Sequence, residues 1–183
     1  MNTLWPRIPR ALAAAALLVA VASLASGCAS APMALNRTAA PAPATGKVMS
    51  GAELRAAMPG AIVGEDRYAE VNSAWLPQWY RVFRGQLSRL GIVKWDERFD
   101  CNRFAEFYSN LAQAFFSVAM FHSETRAQAL ALGPIWYERA DGGGKHAVIQ
   151  ALTERGRVFI DPQTGQEMEL APGEQLSAYV QIF

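Results

Sequence analysis

The stretch "DERFDCNRFAEFYSNLAQAFFSVAMF", residues 96–121, decides the fold predicted for this chain. Its apolar side chains recur at steps of three and four residues, which is the period of an amphipathic α-helix. Asp100 is a good N-cap residue because its carboxylate can accept hydrogen bonds from the free N–H groups of a first turn. The pattern predicts a long helix from Cys101 to about Phe121, with one face formed by Phe104, Tyr108, Leu111, Phe115, Val118 and Ala119.

This helix would place Cys101 in its first turn, where the positive end of the helix dipole favours a thiolate. The chain has two cysteines, and Cys101 has no intramolecular partner if Cys28 is lipidated. Three interpretations of Cys101 follow: a catalytic nucleophile, an inert core thiol, and a redox-responsive thiol. The third would lack a resolving cysteine.

The segments around the long helix predict an α+β fold. Helix-period segments come first, and period-two segments separated by turn-like sequences follow. We therefore expect N-terminal helices, including the long core helix, packed on an antiparallel β meander. Further helices are predicted at 51–61, 73–92 and 123–133, and strands at 134–139, 146–152, 157–163, 167–170 and 175–183.

The turn "TERG" at 153–156 determines which side chains of the meander share a face. With an even-numbered hairpin loop, His146 faces Asp161 or Gln163, since partners across a hairpin lie on one side of the sheet. An odd-numbered loop would instead put His146 and Asp161 on opposite faces.

The order of these residues suggests thiol chemistry. A cysteine at a helix N-terminus, a histidine on one strand and an aspartate on the next could form a nucleophile, a base and an orienting carboxylate. Each residue also has a simpler role open to it. Cys101 could lie inert in the core, His146 could be structural, and Asp161 could initiate the turn in "DPQTG".

The same residues resemble the papain-like cysteine fold in its transglutaminase-like branch. The resemblance covers roughly residues 95–165 and implies that Cys101 is the nucleophile, His146 the general base and Asp161 the orienting carboxylate. It rests on order and element type, and on these matching positions: Cys101 with Ala105, His146 with Ala147, and Asp161 with Pro162 and Thr164.

The sequence departs from that family's pattern in three places. Asp100 precedes the cysteine where a small residue is common, and Val148 follows the His-Ala pair where a large aromatic is frequent. The oxyanion side chain has no firm equivalent, so Gln163 and Trp95 are the candidates for that position.

The N-terminus predicts export. Arg7 and Arg10 precede the apolar run "ALAAAALLVAVASLA", and "ASG" leads to Cys28, which resembles a bacterial lipoprotein signal. The resemblance implies a signal peptide over 1–27, lipidation of Cys28 and, from Ala29, sorting to the outer membrane, facing the periplasm. Ordinary secretion with cleavage after "ASA" at 29–31 is the alternative.

The Ala/Pro-rich composition of 28–49 predicts a tether, so the folded domain is expected over 50–183. Lys+Arg 17 against Asp+Glu 16 leaves no basic excess for nucleic acid. Two histidines and one free cysteine do not supply a zinc site, and no cofactor is expected.

These inferences lead to two hypotheses about function. In the first, the protein is an envelope lipoprotein with a Cys-His-Asp thiol hydrolase, of peptidase or amidase type, that acts on a peptide or envelope protein. In the second, a catalytically inactive papain-like fold is a binding or assembly module in the envelope. The lipid anchor would attach either to the membrane.

Overall fold

The computed structural model describes residues 41–121, 126–178, 180, 181 and 183. The expected signal peptide, Cys28 and most of the expected tether lie outside these residues. Within them, no helix combines the length and apolarity needed to cross a bilayer.

The described residues form four helices and eight strands. The helices are α1 Gly51–Ala57, α2 Leu76–Arg89, α3 Cys101–Met120 and α4 Pro172–Leu176. The strands are β1 Ala44–Ser50, β2 Arg67–Val71, β3 Ala129–Leu130, β4 Leu132–Glu138, β5 Lys145–Thr153, β6 Gly156–Ile160, β7 Glu167–Met168 and β8 Val180–Gln181.

Capping side chains start two of the helices. The Asp100 carboxylate accepts a hydrogen bond from the Arg103 N–H at 3.1 Å, so α3 begins at Cys101 as predicted. Ser50 caps α1 in the same way, and Glu53 bonds back to the Ser50 N–H at 2.6 Å. Local sequence therefore determines where both helices begin.

The strands of the described residues form one mixed sheet in the order β1-β2-β5-β4-β8, with β6 on β5, β7 on β6 and β3 on β2. β2 pairs in parallel with β3 and with β5, whereas all other pairs are antiparallel. The predicted antiparallel meander is therefore wrong as a description of the sheet. The β4-β5-β6 part of it does form a meander.

Two strands were missed because their sequences lack strong strand signals. β1 falls within the expected tether, and β2 within a segment expected to connect two helices. Their pairing is tertiary, since Met49 of β1 lies opposite Tyr68 of β2, and both side chains are buried. The described part of the predicted helix 123–133 is also extended, because β3 pairs with β2.

The two faces of the sheet pack against different groups. Ala147, Ile149 and Ala151 of β5 lie in a core cluster with the buried side of α3, which includes Phe104 and Tyr108. We call this the helix face. Val148 of β5 lies in a separate cluster with Ile135, Tyr137, Phe159 and Leu170, which marks the far face.

Aromatic side chains join α2 to α3 on the helix face. Trp75 and Trp79 stack with their ring centroids 5.1 Å apart, and Phe83 contacts Tyr108 edge-on at 5.0 Å. All four residues are buried. The Trp75 and Trp79 pair is therefore part of the core packing.

Candidate functional site

Cys101 lies at the start of α3, on the helix face. Its side chain is half-buried and packs against the main core cluster. The closest polar contact of its Sγ is the Asn102 Oδ1 at 3.9 Å, a distance at which a thiol makes only a weak hydrogen bond. The same oxygen accepts a hydrogen bond of 2.9 Å from the Trp136 indole N–H.

His146 lies on β5 with its ring against the far face. It pairs with Tyr137 of β4, and the two ring centroids are 5.9 Å apart at an edge-on angle. Tyr137 belongs to the far-face cluster, whereas Ala147, the next residue after His146, belongs to the helix-face cluster. The imidazole and the Cys101 thiol are thus on opposite sides of the sheet.

Asp161 follows β6 and holds the turn after it. Its carboxylate accepts hydrogen bonds from the Gln163 N–H at 2.8 Å and from the Thr164 hydroxyl at 3.1 Å. The carbonyl of the same residue accepts from the Gly165 N–H at 2.7 Å. These contacts match the turn role that Asp-Pro often has.

The hairpin register agrees with the even-numbered loop. Thr153 pairs with Gly156 across a two-residue loop, and Ile149 pairs with Ile160. His146 and Asp161 interact electrostatically. The structure thus brings His146 towards Asp161 but does not bring Cys101 to either of them.

Burial dominates the ionisation of the far-face groups. It lowers the pKa of His146 below its ordinary value, and the Asp161 carboxylate partly opposes that effect. Burial also raises the pKa of Tyr137 to about 12, with a smaller contribution from Glu174. A half-buried neutral imidazole beside a buried neutral phenol is the ordinary state of this pair near pH 7.

The two oxyanion candidates lie in different environments. Gln163 has its backbone carbonyl bonded to the Tyr80 hydroxyl at 2.8 Å, which ties the turn to α2. Trp95 is half-exposed, in the segment that joins α2 to α3. No contact in the described residues brings either side chain to the Cys101 thiol.

A concave site is formed instead along the side of α3. We call it the α3 groove, with a volume of about 500 Å³. Polar residues of α3 form one wall, and the floor comes from β4. Its lining includes Glu106, Ser109, Asn110, Gln113 and Ser117 on α3, and Leu132, Pro134 and Trp136 on β4, with Glu65, Gln128 and Phe183 opposite.

Gln113 fixes the width of the groove. Its amide nitrogen donates to the Leu130 carbonyl at 3.1 Å and to the Leu132 carbonyl at 2.9 Å. Its amide oxygen accepts from the Leu130 N–H at 2.8 Å. The side chain therefore uses both of its N–H donors and its carbonyl oxygen to hold α3 against β3 and β4.

Trp136 is held in the groove with part of its ring exposed. Its indole N–H is fixed by Asn102, and its side chain is half-buried at the floor. Asn110 is exposed on the wall, and its side chain forms no hydrogen bond within the described part of the chain. An immobilised aromatic ring beside a free amide can contact an apolar surface and a hydroxyl group together.

The groove carries negative charge. Glu65 and Glu106 line it, and its lining contains no lysine, arginine or histidine among the residues that the structure describes. Glu106 is partly neutralised by Arg103 at 3.0 Å. Such a lining is unfavourable for an anion and suits an uncharged polar ligand.

The sequence contained a signal for this site that we did not use. Glu106, Asn110, Gln113 and Ser117 follow one another at steps of three and four residues, so they form a polar stripe on α3. Over this stretch the stripe is about 16 Å long at the rise of an α-helix. The apolar stripe of the same helix predicts the side that packs on the sheet, whereas a polar stripe by itself is also typical of a face exposed to solvent.

No metal centre is formed by the residues that the structure describes, which contain no group of three or more His, Cys, Asp or Glu placed to hold an ion.

Solved structures show which fold this is. The chain is similar to PSL1a, solved as a complex with E64, with a TM-score of 0.55 and 19% sequence identity over 74% of this chain. It is also similar to Polyporus squamosus lectin, bound to the epitope Neu5Aca2-6Galb1-4GlcNAc, with a TM-score of 0.53 and 21% identity over 74% of this chain. No protein-family model and no curated protein matches the chain.

The chain spans about half the length of these two solved proteins, 51% and 49% respectively. At such low identity the likeness establishes a shared fold, and the glycan in the second structure is a property of that lectin.

The comparison corrects the expected family and activity. The papain-like, transglutaminase-like interpretation is wrong, because the similar solved structures are those of a lectin and the sheet is mixed. The thiol hydrolase hypothesis is wrong as well. Its geometry fails for a physical reason, since neighbouring side chains of a strand alternate between faces and His146 lies on the face away from α3.

Proposed function

We propose that this domain is a binding module of the cell envelope that holds an uncharged glycan in the α3 groove. The observation that carries the proposal is the juxtaposition of the fixed Trp136 ring with a polar stripe free of cations. A pyranose ring offers an apolar face of C–H groups and a rim of hydroxyls, so it matches an aromatic floor with amide and carboxylate walls. Similarity to a lectin supports a saccharide ligand.

The dimensions of the groove support a short oligosaccharide. Its polar wall extends for about 16 Å along α3, and its volume is about 500 Å³. Both values match a ligand of a few sugar rings. The envelope location is part of the proposal and rests on the N-terminal lipoprotein pattern that ends at Cys28.

Titration calorimetry of the full chain with N-acetylglucosamine trimer and with Galb1-4GlcNAc tests the proposal. Asn110→Ala should weaken binding by about tenfold, which corresponds to one lost hydrogen bond of about 1.4 kcal/mol. Glu106→Gln should change affinity less, because the amide can still accept a hydrogen bond. The sialylated trisaccharide Neu5Aca2-6Galb1-4GlcNAc should bind more weakly than Galb1-4GlcNAc, which is its uncharged disaccharide part.

Two controls separate this site from other causes. Gln166→Ala removes an exposed amide away from the groove and should leave binding unchanged. Cys101→Ala should also leave it unchanged, because no thiol chemistry is involved. Equal affinity of wild type and Asn110→Ala, or the absence of binding to both saccharides, would contradict the proposal.

A further inference from the structure

A second concave site lies on the helix face of β1 and β2, beyond the C-terminal end of α3. It has a volume of about 660 Å³, and its lining includes Thr45, Val48, Arg67, Ala69, Met120 and Arg126. We call it the arginine cavity. α2 and α3 pack on the middle of the sheet, whereas β1 is an edge strand.

The backbone places the first arginine in this cavity. Ser50 pairs with Arg67 and Val48 with Ala69, so these four side chains share one face of β1 and β2. Ala69 belongs to the helix-face core, which identifies that face.

Arg126 is brought beside Arg67 by the segment that leads into β3. The Gln128 N–H donates to the Arg67 carbonyl at 2.9 Å, and the Gln128 side chain accepts from the Arg67 N–H at 3.0 Å. Both arginines are exposed and line the same cavity.

The two guanidinium groups are not neutralised within the described part of the chain. Neither forms an ion pair or side-chain hydrogen bond there. Glu53 also lines the cavity, but its carboxylate accepts hydrogen bonds from the Ser50 N–H and hydroxyl, at 2.6 and 2.8 Å. Two cations thus face one carboxylate that is already bonded.

Part of the remaining lining is apolar. Val48, Ala69 and Met120 form a surface without hydrogen-bonding side chains, and methionine adapts its shape to what it contacts. A guanidinium fork matches the oxygens of a phosphate in a bidentate way, which a point charge does not. We infer that the arginine cavity binds a phosphate group carried on an aliphatic chain, with the phosphate on Arg67 and Arg126 and the chain on the apolar surface.

This inference is independent of the α3 groove, whose described lining residues include two carboxylates and no cation. The two sites should therefore bind different ligands without competition. An aliphatic phosphate could come from a membrane lipid or from a soluble phosphate ester, and the probes below distinguish these sources.

Octyl phosphate and inorganic phosphate are the probes, titrated into the full chain and followed by calorimetry. Octyl phosphate should bind, and Arg67→Gln or Arg126→Gln should weaken its binding by about tenfold or more. Arg67→Lys should recover only part of the loss, because it keeps the charge and removes the fork. Arg81→Gln, an exposed arginine of α2 outside the cavity, is the matched control and should have no effect.

The methyl resonance of Met120 provides a second readout that does not depend on affinity. It should shift with octyl phosphate in wild type and Arg81→Gln, and should not shift in Arg67→Gln. The N-terminal apolar segment is present in every variant, so differences between variants report on the cavity. Binding to phosphatidylglycerol vesicles that depends on Arg67 and Arg126 would identify a membrane lipid as the source. If octyl phosphate binds but the vesicles do not, the source is a soluble ester.

The inference is overturned if octyl phosphate does not bind, if the two glutamine variants bind it as wild type does, or if inorganic phosphate binds equally well. None of these results bears on the saccharide experiment, so the two proposals fail separately.

Discussion

Ala147 and His146 are adjacent in the chain but lie on opposite faces of β5. Ala147 packs under α3, whereas the His146 ring contacts Tyr137 in the far-face cluster. Successive side chains of a strand lie on opposite faces of the sheet, so a shift of one position moves a side chain to the other face. His146 is therefore a residue of the far face, and Asp161 serves chiefly to hold its own turn.

This separation predicts that His146 does not activate Cys101. In a Cys28→Ala background, where Cys101 is the sole thiol, the rate of alkylation by iodoacetamide should be the same in wild type and His146→Ala between pH 6 and 9, about the range in which imidazoles and thiols ionise. Asn102→Ala should change the rate, because Asn102 is the polar partner of the thiol at 3.9 Å. A fall in rate on replacing His146 would show that the imidazole acts on the thiol, and would contradict the separation of the two groups.

At the scale of elements, α3 is held to the sheet by both packing and a polar clamp. Phe104, Tyr108 and Phe116 are buried against β5 and its neighbours. Gln113 adds three hydrogen bonds to the backbone of β3 and β4. These bonds give partners to the Leu130 N–H and to the Leu130 and Leu132 carbonyls, where the two strands join. Without the clamp, three backbone groups would be left without a partner.

Gln113→Ala should lower the free energy of unfolding by at least about 2 kcal/mol, since each unsatisfied buried group costs about 1–3 kcal/mol. Gln113→Glu should be at least as destabilising as Gln113→Ala, because a carboxylate oxygen would face the Leu130 and Leu132 carbonyl oxygens without a proton to donate. Ser117→Ala, one turn further along α3, removes a bond to the helix's own backbone and is the control. Urea denaturation measures all three, and an Ala variant as stable as wild type would show that the clamp contributes nothing.

At the scale of the whole molecule, the sheet separates two layers with different electrostatics. The helix face is packed with aromatic and aliphatic side chains, and the far face contains ionisable groups around its smaller cluster. Asp161, Arg139 and Glu174 all act on His146, but burial has the largest effect and keeps its pKa below the ordinary value. Protonation of His146 is thus unfavourable in the folded state.

The stability of the folded chain should consequently depend on pH through His146. Between the folded pKa and about 6.5, the ordinary value of histidine, the unfolded chain binds a proton that the folded chain does not. The free energy of unfolding should decrease as the pH falls through this interval. Above the interval, His146 should not change the free energy of unfolding with pH. Thermal unfolding of wild type and His146→Gln should differ in midpoint temperature, most strongly at the low end of this pH interval. A difference in midpoint that stays constant with pH would contradict this prediction.

Local signals in the sequence were sufficient for α3, its Asp100 cap and the β5–β6 hairpin. Each depends on contacts within a few residues: a carboxylate bonding to the Arg103 N–H, and a two-residue loop that sets Thr153 opposite Gly156. β1 and β2 could not be found in this way. Arg67–Val71 contains charged residues at two of its five positions, and it becomes a central strand only because β1, β3 and β5 pair with it.

The candidate site divides in the same manner. The shared face of His146 and Asp161 follows from the period of a strand and the parity of a loop. The sequence left that parity open, and the pairing of Thr153 with Gly156 decided it. Which side of the sheet α3 covers depends on how distant segments of the chain pack. Only the tertiary structure decided that Cys101 lies on the side opposite to His146 and Asp161. The α3 groove and the arginine cavity also belong to the tertiary structure, because their walls come from segments of the chain that no local interaction brings together.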